Sequence, residues 1–150
     1  MIHLKVKTSD ERQVDREGLI QAAQTVLDTL NQNEGLELSI ILTNNKQLRL
    51  FNQRFRGIDE PTDVLAFPMN QVDPDSGKLY LGDILISIEQ AKAQAEKHKN
   101  TLNQELQLLV VHGILHLLGY DHIDPTGKAK MWDIQGKILQ RIAPSIRLPE

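Results

Sequence analysis

Leu106-Gln107-Leu108-Leu109-Val110-Val111-His112-Gly113-Ile114-Leu115-His116-Leu117-Leu118 is the stretch on which the architecture turns. It continues a polar lead-in from Thr101, and from Leu106 on it is almost wholly apolar on every side when wound as a helix. A helix with no polar face belongs in the middle of a domain. The segments around it supply material to cover it. Ile2 to Lys7 alternates apolar and polar residues, as a half-buried strand does, and Leu36 to Leu42 reads as a second strand. Between them Leu19, Ile20, Ala23, Val26, Leu27 and Leu30 recur at helical spacing over Asp15 to Leu30, and Asn31 to Gly35 breaks the pattern. Thr43 or Asn44 is placed to cap a helix over Lys46 to Phe55, with Leu48, Phe51 and Phe55 inward. Arg56 to Pro61 is loop chemistry, Asp63 to Phe67 a short run stopped by Pro68, and Asp73 to Gly77 a turn. Leu79 to Ser87 is a further strand, Ile88 to His98 an exposed helix, and Pro125 to Ile142 a last helix before Pro144 and Pro149. Strands and helices mix without regular alternation, so the expected class is α+β: a small mixed β-sheet covered by helices around one central buried helix.

Composition bounds the chemistry. A chain of 150 residues is expected to form one domain, over 1–150, burying roughly 70% of its unfolded surface. With no cysteine there is no disulfide, iron–sulfur cluster or thiolate zinc site, so any transition metal must be held by nitrogen and oxygen. Met1 to Lys5 lacks the apolar core of a secretion signal, and no apolar run approaches the ~18 residues of a membrane span. The net charge of −3 conceals basic islands. Residues 46–56 carry Lys46, Arg49, Arg54 and Arg56 without an acid, and residues 128–150 carry five basic groups against two acidic ones. Such islands on an acidic background suit a polyanion docked at a defined place, although solvated helix faces look the same. Six aromatic residues are few, which points toward recognition of backbone and shape rather than bases.

His112 and His116 are four residues apart inside the buried helix, so their imidazoles share a face about 40° and one turn apart. Gly119 allows a left-handed helix end, after which Tyr120 and Asp121 lead to His122. This is the spacing of the metzincin proteases, H-E-x-x-H-x-x-G-x-x-H, in all three histidines and the glycine. Three neutral imidazoles leave a fourth position open on a tetrahedral zinc, the arrangement of a catalytic site, where bound water has a pKa of about 7. The residue after the first histidine is Gly113, where those proteases carry their glutamate base, so peptide hydrolysis by that route lacks its base. His3, in the first strand, and His98, between Lys97 and Lys99, read as ordinary surface or packing residues.

His112 to His122 also resembles the signature H-G-x-L-H-L-x-G-Y-D-H of the YbeY family of bacterial endoribonucleases at every fixed position. Arg56 to Pro68 and Leu81 to Ser87 resemble two further family segments, with Ala66 where Ser is commoner, and together the match spans most of residues 36–135. The resemblance implies a single-strand-directed, metal-dependent endoribonuclease of the bacterial cytoplasm. It would act in small-subunit rRNA 3′-end maturation and ribosome quality control, with ribosomal RNA and ribosomal or assembly proteins as partners. It implies that His112, His116 and His122 bind one Zn²⁺, or another divalent metal such as Ni²⁺, and that Arg56 is the catalytic arginine beside the metal. A guanidinium suits that role because it donates two hydrogen bonds to a phosphate and keeps its charge. Asp121 either orients a metal-bound imidazole or caps the turn, while Asp63 and Asp83 are candidate proton carriers that the sequence does not place near the metal, and no general acid is assigned. Two other readings stand beside this one: a metallohydrolase of a non-RNA substrate, and a metal-stabilised rRNA-binding assembly factor.

Overall fold

The computed structural model describes residues 1–32 and 35–148. Four strands, β1 (Ile2–Val6), β2 (Leu36–Thr43), β3 (Val64–Val72) and β4 (Leu79–Ser87), form one sheet in the order β1-β2-β4-β3. β1 pairs parallel with β2 and β2 parallel with β4, whereas β3 runs antiparallel along β4. Among the described residues, five α-helices and one short 3-10 turn (Glu11–Gln13) accompany the sheet: α1 (Arg16–Thr29), α2 (Asn45–Arg56), α3 (Ile88–His98), α4 (Leu102–Leu117) and α5 (Pro125–Ile142). This is the expected α+β class. No helix among the described residues is long and apolar enough to cross a membrane. Two features of the sequence reading, Asn33-Glu34 of the break after α1 and Pro149, lie outside the described residues.

Side-chain alternation sorts the strands into two faces. Leu38, Ile40 and Leu42 of β2 and Ile84 and Ile86 of β4 point into the main core, which they share with buried residues of α1, α4 and α5. Leu85, with Leu65, points the other way, onto Leu48 of α2, with Ile41, Phe51 and Phe67 packed around them. The main core therefore lies between the sheet and α4, whose residues from Leu106 to Leu117 are buried apart from Gln107, His112 and His116. The apolar stretch that opened the sequence reading is the central helix.

The helix ends follow their caps. Asp15, Asn44, Ser87, Thr101 and Asp124 each accept a bond from the backbone N–H three residues on, satisfying an otherwise orphaned donor. Thr101 and Gln104 form a reciprocal capping box at the start of α4. Asn44, not Thr43, caps α2.

Three expectations need correction. Phe55 does not face inward with Leu48 and Phe51: it is 61% exposed, because the small core under α2 is filled by Phe51 and Phe67. Pro68 does not stop the run that begins at Asp63: β3 continues through it to Val72. β3 is an edge strand, with a free side that tolerates a residue lacking an N–H, and its register along β4 shifts between Pro68 and Gln71. α3 is not simply exposed either, because Ile88, Ala91 and Ala95 form a buried stripe against the rest of the fold.

Candidate metal centre

α4 ends in the turn that the site needs. Tyr120 N–H donates to the Leu115 carbonyl and Gly119 N–H to that of His116, the paired bonds of a Schellman motif. Gly119 takes φ +98°, in the region that favours glycine, so the chain reverses there and carries His122 back over the helix face. His112, His116 and His122 then offer one ring nitrogen each, all within 4.8 Å of one another.

The Nε2 atoms of His112 and His116 are 3.1 Å apart. Two nitrogens bound to one tetrahedral zinc at ~2.05 Å would be about 3.3 Å apart, so this pair already has ligand spacing. His112 is also fixed in its tautomer: Nδ1 donates to Oε1 of Gln135 at 2.8 Å, which leaves Nε2 with a lone pair toward its neighbours. Gln135 is 3% exposed and sits on α5 among buried Met131, Ile138 and Leu139. The indole of Trp132, one turn earlier, stands edge-on to His112 and His122 at centroid distances of 5.7 and 5.5 Å. An all-imidazole donor set of this kind fits a borderline transition metal such as zinc, nickel or copper, and not calcium or magnesium, which want oxygen.

Burial tunes the same nitrogens. Desolvation pushes the His116 pKa down from 6.5 to about 4, with the neighbouring His112 and His122 acting in the same direction. Desolvation likewise lowers His112, against a raising contribution from its bond to Gln135. Both rings are thus held neutral at neutral pH, the form that binds metal. A linkage prediction follows for the metal-free protein. Between pH 6.5 and about 4 the unfolded chain carries a proton on His116 that the folded chain does not, so stability must fall as pH falls through that window. Melting temperatures of chelator-treated protein measured across it should decline, and less steeply in His116→Gln. Equal slopes in the two proteins would contradict the assignment.

A cleft of about 450 Å³ opens over the imidazoles. His112, Gly113, His116 and His122 form one side, and Arg56, Asp63 and residues 64–66 of β3 are among those on the other. Arg56 is the last residue of α2, followed by Gly57 in the left-handed conformation as C-cap. It is exposed, and its one side-chain bond is a long one, 3.4 Å from Nη1 to Oδ1 of buried Asn52. Asn52 itself donates to the Glu60 carbonyl, tying the loop after α2 to the helix. Arg49 grips Asp59 at 2.7 and 3.1 Å and holds that carboxyl below its usual range. The four residues singled out in the sequence thus meet at one cleft.

Asp63 is there as well, although the sequence could not locate it. Its Oδ1 accepts from Val64 N–H and Thr62 Oγ1, its Oδ2 accepts from Gln94 Nε2, and its charge reaches His112. Asp83 is elsewhere, on the opposite face of the sheet, where Tyr80 donates its hydroxyl to it. Asp121 caps the turn, its Oδ1 accepting from Ile123 N–H at 3.2 Å.

A second cavity, of about 380 Å³, adjoins the centre on the α3 side and is lined by His98, Gln94, Asp63, His112 and His122 among others. His98 is therefore not a lone surface histidine. Its Nδ1 lies 3.0 Å from Oε1 of Glu105, a fully buried residue of α4 that also accepts from Asn100. Gln135, Trp132 and Glu105 were not singled out in the sequence. The usable signal was a polar residue in an apolar helical stripe, which both Gln135 and Glu105 are.

Comparison with known proteins identifies relatives over most of the chain. The family described as Endoribonuclease YbeY matches residues 4–143 of the chain. A protein of Sulfurihydrogenibium sp. (strain YO3AOP1) named Endoribonuclease YbeY is 44% identical over 132 residues, 87% of this chain and 86% of that protein. One of the same name from Oceanobacillus iheyensis is 40% identical over 141 residues, 87% of this chain and 92% of its own. Among solved structures, the solution structure of a Thermotoga maritima protein superposes with a TM-score of 0.62 at 28% identity, covering 95% of this chain and 89% of that one.

Proposed function

The chain belongs to the YbeY endoribonuclease family, and from that premise we propose that it is a single-domain, metal-dependent endoribonuclease of the cytoplasm. It cleaves single-stranded regions of ribosomal RNA during small-subunit rRNA 3′-end maturation and quality control, together with ribosomal or assembly proteins. The observation that carries the reading is the meeting of His112, His116 and His122 with Arg56 across one open cleft. Zinc is the metal that the three imidazoles suit best. When bound, it would supply Lewis acidity toward a phosphoryl oxygen and a lowered pKa to water.

The chain's own residues have separate tasks. His112, His116 and His122 hold the metal, and Gln135 keeps the His112 lone pair directed at it. Arg56 binds a non-bridging phosphoryl oxygen pair and neutralises the charge that grows there as the phosphodiester is attacked. Its weak tether to Asn52 leaves the guanidinium donors available to the phosphate. Asp63, anchored by Thr62, Val64 and Gln94, lies on the same wall and can accept a proton from water or from a ribose hydroxyl. Trp132 packs edge-on against His112 and His122 on the α5 side and helps to hold their rings in place.

The reading is tested by incubating structured rRNA with metal-replete, chelated and Arg56→Ala protein, with metal content measured on the same samples. Chelation should stop cleavage and metal should restore it. Arg56→Ala should keep its metal and lose about 10²-fold in cleavage rate, the usual cost of one transition-state donor. Cleavage at the parental rate in Arg56→Ala would remove that residue from the mechanism, and cleavage indifferent to chelator would remove the metal.

A further inference from the structure

We infer that the face of the sheet opposite α4 carries a base-stacking subsite, built on Phe55, for single-stranded RNA leading into the metal cleft. The identity of the ligand rests on the endoribonuclease reading, while the site itself stands on separate observations. All three phenylalanines of the chain converge there. Phe51 and Phe55, four residues apart on α2, lie 6.0 Å apart and nearly parallel at 9°. Phe67 of β3 stands edge-on to both, at 6.2 and 5.2 Å. Phe51 and Phe67 pack on the small core of Leu48, Leu65 and Leu85, but Phe55 is not needed there and is 61% exposed. An aromatic ring held by two others, with much of its surface in water, is a platform for another flat ring.

The rings line a groove of about 630 Å³, a size suited to nucleotides, with Lys7, Gln47 and Asp83 among its polar groups. Two features select RNA over an apolar protein segment. First, the helix that carries Phe51 and Phe55 bears Lys46, Arg49, Arg54 and Arg56 and no acid. With Arg49 engaged by Asp59, Arg54 and Arg56 offer cations on either side of Phe55 along the end of α2. Arg54 holds its guanidinium 6.0 Å from the Phe55 ring centre, and Arg56 lines the metal cleft. Second, Pro68 lines both the groove and the metal cleft, so the two adjoin across the edge strand β3. A strand whose phosphates follow α2 would lay a base on Phe55 and bring a neighbouring phosphodiester toward Arg56. The Asp83 carboxylate, which would repel phosphate, is an acceptor for the exocyclic amine of a base. Duplex bases are already stacked on each other, so a platform of this kind takes single strands. The scarcity of aromatic residues, which points away from base stacking in the sequence, is offset by half of them lying in one place.

The probe is a labelled, 2′-O-methylated octaadenylate, compared by fluorescence anisotropy with an octamer of the same charge that lacks bases. Phe55→Ala in the full chain should weaken octaadenylate binding about ten-fold or more and abasic binding by less than about two-fold, as loss of a single stacking contact does. Phe55→Trp should bind as the parent does, and Phe55→Leu, which keeps apolar packing without a π face, should behave like alanine. Octaadenylate binding unchanged in Phe55→Ala, equal losses on both octamers, or rescue by leucine would each overturn the subsite and leave the face to a protein partner. Cleavage of unmodified RNA by the parent separates this outcome from failure of the function. Phe55-dependent binding without any cleavage refutes the nuclease reading and keeps the subsite. Cleavage with Phe55-independent binding does the reverse.

Discussion

His116→Ala is expected to lose its metal and, with it, RNA cleavage by at least about 10³-fold, the rate equivalent of the several kcal/mol that a Lewis acid supplies. His116 is the middle histidine of the proposed trio. Its Nε2 lies 3.1 Å from that of His112, and its backbone carbonyl accepts the Gly119 N–H that turns the chain toward His122. The substitution removes the imidazole and leaves the turn in place, because the turn is held by backbone bonds. Metal loss should therefore occur in a folded protein, verified by its circular dichroism. Metal content and cleavage are to be measured on one preparation. Parental zinc in purified His116→Ala would refute the ligand assignment, whatever the activity. Lost metal with retained cleavage would preserve the ligands and overturn their part in the reaction.

Gly113→Glu restores the protease consensus on paper, and its expected result is a destabilised protein without peptidase activity. A Cβ at residue 113 would lie 2.8 Å from Cγ2 of Ile84 and 3.2 Å from its Cδ1. Ile84 is fully buried in β4, so α4 packs on the sheet at a distance that only glycine permits. Overpacking a core costs about 1–3 kcal/mol, and a carboxylate introduced at a buried position adds to it. A total of about 2–4 kcal/mol would lower the melting temperature by roughly 5–15 °C in a chain of this size. Gly113→Ala should show the overpacking part alone. A Gly113→Glu protein that melts with the parent would mean that α4 and β4 can part without cost, and chelator-sensitive hydrolysis of a peptide would revive the protease reading. The departure from the metzincin pattern thus has a packing cause as well as a catalytic consequence.

The same contrast separates what was legible in the chain from what was not. α4 could be read because a helix that is apolar all round can only be central, and its polar start carries the Thr101–Gln104 cap. The grouping of the three histidines is readable because four residues is about one helical turn and Gly119 marks the reversal, so most of that geometry is local. β3 was cut short at Pro68 because the rule against proline in strands holds for central strands. Whether a strand is central or at an edge is decided by its neighbours. His98 reads in sequence as an ordinary residue of an exposed helix because its neighbours are lysines, while its partner, Glu105, comes from the next helix. Asp63 precedes β3 and Asp83 lies within β4, and neither position tells from sequence whether the carboxylate is near the histidines. The sheet sends one to the metal cleft and the other to the opposite face.

The sequence by itself determined the class of fold, the central helix, the three nitrogens of the centre and the family. The class, the helix and the grouping of the three histidines rest on periodicity and spacing, where the backbone geometry is known in advance, whereas the family rests on a resemblance over three separate segments between residues 56 and 122. The tertiary structure alone decided which polar residues attend the three imidazoles, why residue 113 is glycine, and that the phenylalanines of α2 and β3 share a groove beside the cleft. Those are contacts between segments distant in the chain. Burial against the sheet brings them together, and no local pattern encodes them.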